Sequence, residues 1–302
     1  MDGFGWRIVL GLTFFMSVQV SGLVFSPAVT EAAAVNLTVA DLPGENLTFL
    51  NIPEQYQAAG YTEIFTATDA EQWKRTNPID FSGHFAKEAT VTQAVFEPEQ
   101  NEYLVYFTVK DTGENLAERT RNKQLQSMVL TDDLVNAKAE FVGKTIYPKV
   151  RTLEGVKHDI SIPIQICSPV TVLDATLGTN AQEPIFLLVS ADGQEGILPI
   201  AYSWTNTVAK YWPDTPAWQD YFFEENPRAT FDWPADVWQN IENGRVVETM
   251  TKAQILLSWG KPNRTENNDT AWIYGDKKVT FSNASTIETI ESKSYKFKHL
   301  SE

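Results

Sequence analysis

The sequence predicts an α+β protein of several domains, with a β-rich middle and a C-terminal module made of one helix on a three-stranded meander. Three observations predict this class. Apolar and polar residues alternate through the middle of the chain, and a capped helix followed by hairpin turns stands near its end. The hydrophobic share, 43% of 302 residues, is large enough to fill several cores.

Residues 1–34 have the pattern of a secretory signal peptide. Arg7 precedes an apolar run, and Ala32-Ala33-Ala34 provides a small-residue cleavage site before Val35. Export is favoured over a retained anchor, although the apolar run is long enough to span a bilayer. We therefore expect a periplasmic or extracellular protein whose membrane association is indirect or runs through an uncleaved N-terminal segment.

Charge and cysteine content limit the classes of partner. The net charge of −15 disfavours binding to nucleic acid and to anionic lipid. The only cysteine, Cys167, excludes an internal disulfide bond. It also stands far from the cleavage site, so no lipid-carrying cysteine is expected there.

Residues 35–140 predict a mixed α/β region. Prolines and a glycine interrupt its first part, 35–60, which we expect to be an extended lead-in. Alternating patterns at 90–96 and 102–110 predict a β-hairpin with one buried face.

Two helices are expected after this hairpin. Asn115 can cap a charged helix that carries Leu116 and Arg119. Asp132-Asp133 then stand at the start of a second helix that ends at Phe141, where acidic side chains suit the positive end of the helix dipole.

Residues 141–206 predict a small antiparallel barrel of five strands, of the SH3-like kind. Isoleucine and valine of one parity recur over 160–172, which predicts one long strand with a buried face and a bend at a proline. Two more strands are expected at 185–189 and 197–202, with turn residues between them.

Residues 207–243 form a connection that is rich in proline and aromatic residues. Exposed tryptophans stack on sugar rings, so this connection supplies the candidate glycan-stacking residues, which are Trp212, Trp218, Tyr221 and Trp233. The favoured interpretation instead buries the rings between the barrel and the C-terminal module. Exposed aromatic area of this extent would promote aggregation.

The C-terminal module spans residues 244–292, and residues 293–302 follow it as a tail. Thr251 can cap a helix while Gln254 reaches back to the cap, and Gly260 ends the helix. The apolar face of this helix is expected to carry Ile255, Leu256 and Trp259. Strands at 270–274, 278–281 and 286–290 complete the meander, with Trp272 facing Trp259.

The C-terminal module resembles a known family. The run from Met250 to Pro262, followed by Trp272-Ile-Tyr274, Val279-Thr-Phe281 and Thr286 to Ile290, is similar to the BamE (SmpA/OmlA) family of small bacterial envelope modules. The shared pattern is a Met-Thr helix entry, a Gly-x-Pro exit, a Trp-x-Tyr strand and a closing hairpin. The resemblance implies a non-catalytic role in outer-membrane assembly.

The sequence predicts no catalytic, cofactor or metal site. The three histidines, His84, His158 and His299, are scattered along the chain, whereas a metal or nucleophile site needs several such groups together. Cys167 is expected to be a buried strand residue. Asp132-Asp133 is expected to be a charged surface rather than an acid–base pair.

The favoured function is a protein-binding or assembly module of the cell envelope. A helix covers only one face of the predicted meander, and the other face is expected to be polar and open to a partner protein through Lys277, Lys278, Thr280 and Ser282. The first alternative is binding of cell-wall polysaccharide through 204–238. A hydrolase comes third, disfavoured by the few histidines and the lack of a nucleophile motif.

Overall fold

A computed structural model describes residues 37–71, 78–121, 125–181, 183–200, 221–282 and 286–292. The protein is a strand-rich α+β structure with curled antiparallel sheets of half-barrel form. These described residues belong to one compact unit. Trp212, Trp218 and His299 lie outside the described residues.

The first sheet has six strands in the order β2-β5-β4-β3-β1-β6. Its strands are β1 (Asn46–Phe49), β2 (Ile64–Thr66), β3 (Glu88–Glu97), β4 (Glu102–Val109), β5 (Asn115–Thr120) and β6 (Met128–Leu130). A 3₁₀ turn (Val39–Asp41) precedes them, and the short helices among them are α1 (Glu54–Gln57), α2 (Ala67–Glu71) and α3 (Phe81–His84).

The predicted hairpin of the N-terminal region is confirmed. β3 and β4 pair antiparallel from Ala89 with Val109 to Glu97 with Glu102. The expected buried face is also present, because Val105 and Phe107 are each no more than 1% exposed.

Two predictions for the first sheet are wrong. The segment 35–60 is not an extended lead-in, because it contributes β1, which pairs with both β3 and β6. The helix expected after Asn115 is β5, held between β4 and β2. Its adjacent residues Leu116 and Ala117 are both fully buried, so the two faces of the strand are covered and the helix-favouring composition is overridden.

Helix α4 (Thr131–Phe141) follows β6 and confirms the second predicted helix. Its buried residues Ala137 and Phe141 belong to the core of the second sheet, and that core also contains Leu50 and Val129 from the first sheet region. The backbone N–H of Asn51 donates to the carbonyl of Gly178, which belongs to the second sheet, at 3.0 Å. The first two sheets therefore share packed side chains.

The second sheet has seven strands in the order β13-β7-β10-β11-β12-β8-β9, where the sequence predicts five. Its strands are β7 (Thr145–Pro148), β8 (Thr152–Gly155), β9 (Ser161–Pro163), β10 (Val170–Asn180), β11 (Glu183–Ala191), β12 (Gln194–Ile200) and β13 (Phe222–Phe223). The strands expected at 185–189 and 197–202 correspond to β11 and β12.

The single long strand predicted over 160–172 is wrong. β9 ends at Pro163, and the chain turns through Cys167, whose φ of 60° is left-handed, before β10 begins at Val170. Ile160 is 59% exposed, whereas Val172 is 1% exposed. The shared parity of these residues thus comes from two separate strands that each bury alternate side chains.

The hairpin between β11 and β12 has a two-residue loop, Asp192-Gly193. Ala191 pairs with Gln194. Asp192 and Gly193 have φ angles of 50° and 81°, as a type I′ turn requires.

The described part of the C-terminal region contains three helices and a four-stranded sheet in the order β14-β15-β16-β17. The helices are α5 (Pro227–Thr230), α6 (Ala235–Glu242) and α7 (Lys252–Trp259). The strands are β14 (Arg264–Glu266), β15 (Ala271–Tyr274), β16 (Lys277–Phe281) and β17 (Ile287–Ser292). The meander was predicted with three strands, and β14 is an additional one in the segment expected to be a loop.

The ends of α7 confirm the prediction. The Thr251 side chain accepts from the backbone N–H of Gln254, and the Gln254 side chain accepts from the backbone N–H of Thr251. Gly260 stands at the C-terminal end with a φ of 75°. The buried face of α7 differs from the predicted one, because Leu257 is buried while Leu256 is only partly buried. The helix packs on more than one side, since Ser258 Oγ also donates to the carbonyl of Arg245 at 2.9 Å.

The guanidinium of Arg151 connects the second sheet to the C-terminal helices. Arg151 lies in the chain between β7 and β8. Its Nη1 donates to the carbonyl of Glu242 at 2.8 Å, and its Nη2 donates to the carbonyl of Ser258 at 3.1 Å. Nη2 also donates to the carbonyl of Ile241. Arg151 therefore binds the C-terminal ends of α6 and α7 at once, where a positive charge is favoured.

Candidate functional site

The C-terminal sheet has one face covered by α7. Trp272 pairs with Val279, and Val279 pairs with Ile290, so these three side chains form one row. Trp272 and Val279 are 5% and 0% exposed. The sequence predicts that Trp259 and Trp272 face each other. In the structure the ring of Tyr274 contacts both tryptophans, with its centroid 5.2 Å from that of Trp259 and 6.5 Å from that of Trp272.

The opposite face carries a cluster of charged side chains. Arg264 Nη2 lies 3.0 Å from Glu266 Oε1, and Lys278 Nζ lies 3.4 Å from Glu266 Oε2. Hydrogen bonds from Arg264 and Lys278 hold the pKa of Glu266 below its ordinary value. The Lys278 charge on this face is therefore matched by a neighbouring carboxylate.

The four predicted partner-binding residues do not share one face. Lys278 and Thr280 alternate with the buried Val279 and lie on the open face. Lys277 lies on the helix side, with its Nζ 4.6 Å from the centre of the Trp259 ring. Ser282 follows the end of β16, and its backbone N–H donates to the carbonyl of Thr286 at 2.9 Å.

The outer strand of the sheet, β17, is covered only at its beginning. The backbone N–H of Thr249 donates to the carbonyl of Ile287 at 3.4 Å, and the N–H of Ile287 donates to the carbonyl of Met250 at 2.8 Å. Within the described ranges, the rest of β17 faces no strand on that side. Glu288, Thr289 and Glu291 are exposed.

The described part of the aromatic connection packs into the C-terminal core. The Trp233 ring stacks on Phe231 with centroids 4.6 Å apart and planes 9° apart, and it lies 4.9 Å from Trp238. Trp233 thus contacts two neighbouring rings and is partly buried in the C-terminal core. Tyr221 differs, because it is half-buried and lines a cleft.

This cleft, called here the β8–β9 cleft, has a volume of about 360 Å³. It lies against β8, β9 and β12, and its lining includes Glu154, His158, Asp159 and Tyr221. His158 Nδ1 is 2.8 Å from Glu154 Oε1, and the imidazole contacts the Phe186 ring at 5.5 Å. The four-residue spacing of Glu154 and His158 is the only sequence signal of this cleft.

The remaining residues considered for chemistry are separated. His84 Nε2 lies 2.9 Å from Glu114 Oε2, and its Nδ1 lies 2.8 Å from the carbonyl of Asp80. Cys167 lies in the C-terminal core, and burial raises the pKa of its thiol to about 12. The described parts of the chain hold no group of three or more His, Cys, Asp or Glu side chains that could bind a metal ion.

Asp133 corrects a prediction. The sequence predicts a charged surface at Asp132-Asp133, whereas Asp133 is 4% exposed in the first turn of α4.

No helix within the described residues is both long enough and apolar enough to cross a membrane. No family model matches the chain, and searches of curated proteins and of solved structures give no match either.

Proposed function

We propose that the chain is an exported, non-enzymatic cell-envelope protein that binds a partner protein through its C-terminal sheet. The observation that carries this proposal is the outer strand β17, whose backbone beyond Ile287 is paired on one side only within the described residues. An edge strand presents N–H and C=O groups that an extended segment of another protein can bind by strand addition.

Side chains on the open face supply selectivity in this proposal. Lys278 and Thr280 lie on that face beside β17, and Thr280 pairs with Thr289. Because Glu266 balances Lys278, a partner approaching here meets a mixed polar surface rather than a strong positive field.

The proposal also includes export of the protein and the resemblance of two of its segments to known modules. Residues 1–34 support export through their apolar run and alanine cleavage site. The capped helix α7 and the hairpins after it support a BamE-like module over 244–291, and the antiparallel β10–β12 meander supports an SH3-like middle. Amino-terminal sequencing of the mature protein tests export. Retention of Met1 in carbonate-washed membranes would contradict it.

Site-specific photo-cross-linking from the native envelope tests the binding surface. A benzophenone side chain at Thr289 should cross-link one partner protein, because this exposed position lies on the outer strand. The same group at Thr171, an exposed position of β10, serves as the matched control. Equal cross-linking from both positions would argue against a specific edge.

Substitution on the open face then tests the side-chain contribution. Thr280→Glu should abolish cross-linking from Thr289 without lowering the melting temperature, whereas Thr171→Glu should leave cross-linking unchanged. Glycan binding makes the opposite prediction. In that case Trp212→Ala or Trp218→Ala abolishes binding to cell-wall polysaccharide, and Thr280→Glu has no effect.

A further inference from the structure

The β8–β9 cleft combines an apolar surface with several polar groups. Ile197, Pro199 and Tyr221 contribute apolar atoms, and Ile160, which is 59% exposed, stands at its edge. The volume of about 360 Å³ lies at the lower end of the range for small-molecule sites. The cleft is therefore large enough for a compact ligand with an apolar body.

Several of its polar side chains have no partner among the described residues. Asp159 lines the cleft, and its exposed carboxylate makes no hydrogen bond or ion pair with another described residue. Thr152 and Ser161 also line it, and their hydroxyls make no hydrogen bond with the described residues. A carboxylate at neutral pH can only accept hydrogen bonds, so a ligand must donate to it.

The charge of the cleft is negative. Two carboxylates, Glu154 and Asp159, line it together with one imidazole, His158, and its lining contains no lysine or arginine. Glu154 already contacts His158 at 2.8 Å, whereas the carboxylate of Asp159 has no partner among the described residues. The field reaches beyond the lining, because the pKa of nearby Glu183 is raised first by burial and then by the charge of Glu154.

We propose that the β8–β9 cleft binds a small organic ammonium ion with an apolar body. The ammonium group supplies up to three donors to Asp159 and the two hydroxyls. The apolar body covers Ile197, Pro199 and Tyr221. Carboxylate and phosphate ligands are repelled by the same field. This site is separate from the C-terminal sheet and does not depend on the function proposed for it.

A series of ligands with one apolar body tests the proposal. Hexylammonium, hexan-1-ol and hexanoate are titrated into the full-length protein by calorimetry. We expect saturable binding of hexylammonium and at least about tenfold weaker binding of the other two. A hydrogen bond to a charged group raises the binding affinity about tenfold. Equal affinity of hexan-1-ol, or no saturable binding of hexylammonium, overturns the proposal.

A matched pair of variants separates the cleft from the general acidity of the protein. Asp159→Asn should weaken hexylammonium binding about tenfold. Glu195→Gln removes the same charge from an exposed position of β12 outside the cleft lining and should leave binding unchanged. If the two variants have equal effects, the ion adsorbs to the acidic surface and the proposal fails.

Discussion

Arg151 and Glu118 are charged side chains placed inside the fold, and their surroundings differ. Three main-chain carbonyls accept hydrogen bonds from Arg151. Glu118 is fully buried on β5, where Oε1 accepts from the backbone N–H of Gln126 at 2.5 Å. Its Oε2 has no hydrogen-bond partner among the described residues. We therefore expect Arg151 to stabilise the fold and ionised Glu118 to destabilise it.

The stability of the protein should depend on pH through Glu118. Burial raises the pKa of this carboxyl from 4.5 to about 8 in the folded state. Between these values the folded protein holds a proton that the unfolded chain has released. The contribution of Glu118 to stability is therefore greatest below the unfolded value and decreases as pH rises to about 8, by up to about 1.4 kcal/mol per pH unit.

Urea unfolding between about pH 5 and pH 8 measures this dependence. Glu118→Gln keeps the size of the side chain and should make the free energy of unfolding depend less on pH. Glu195→Gln, at an exposed residue, should leave this dependence unchanged. Identical pH slopes for the natural protein and Glu118→Gln would show that Glu118 does not hold the proton.

Removing the guanidinium of Arg151 should destabilise the protein. Arg151→Met leaves the carbonyls at the ends of α6 and α7 without their donor and should lower the free energy of unfolding by about 2 to 3 kcal/mol. Arg151→Lys should restore part of this loss, because an ammonium cannot reach all three carbonyls in a fork geometry. Arg121→Met removes an exposed guanidinium that pairs with Glu102, and as the matched control it should have a smaller effect. Equal unfolding midpoints for the two methionine variants would contradict the connecting role.

At the scale of elements, α7 shows what local sequence determines and where it stops. Thr251, Gln254 and Gly260 specify both ends of the helix, because capping depends on neighbouring residues only. The buried side of the helix depends on what packs against it. Leu257 is buried in place of Leu256, since α7 contacts α6 as well as the sheet.

Trp259 and Trp272, two of the tryptophans of the C-terminal core, should differ in their effect on stability. Trp272 is 5% exposed, and its indole N–H donates to Asp269 at 2.6 Å, whereas Trp259 is only partly buried. Trp272→Ala should cost about 3 to 5 kcal/mol. Trp259→Ala should lower the free energy of unfolding by less. Trp272→Phe should be more stable than Trp272→Ala. Urea unfolding of the three variants checks the order, and a larger loss for Trp259→Ala would contradict the packing.

Elements that rely on distant partners were not predictable from the sequence. β1 and β14 are short, with four and three residues, so their period-2 patterns are too brief to recognise. β5 carries Leu116-Ala117-Glu118, a helix-favouring run that becomes a strand between two others. The open face of the C-terminal sheet was predicted through Lys278 and Thr280. Glu266 and Arg264 were missed because they lie on β14.

At the scale of the molecule, the cores cross the boundaries suggested by the sequence. Ile166 and Cys167, which lie between β9 and β10, belong to the C-terminal core together with Trp238 and Met250. Arg151, from the second sheet, binds α6 and α7. The C-terminal module therefore depends on residues that precede it by about eighty positions or more.

A fragment of residues 244–302 should not fold on its own. It lacks Arg151, Ile166 and Trp238, and a chain of this length has a small core even when complete. We expect little near-ultraviolet circular dichroism and no cooperative thermal transition from the fragment. Residues 35–302 should unfold in one transition seen by both tryptophan fluorescence and far-ultraviolet circular dichroism. A sharp transition of the fragment would instead identify an autonomous domain.

The position of Cys167 turns the protein's only thiol into a reporter of local opening. The thiol is 5% exposed inside the C-terminal core, and its high pKa keeps it protonated and unreactive while the core is closed. An alkylating reagent can react only with molecules whose core has opened. The labelling rate in native buffer therefore measures the population of that opened state. Such a measurement needs no engineered label, and it follows the junction between the second sheet and the C-terminal helices while the rest of the protein remains folded.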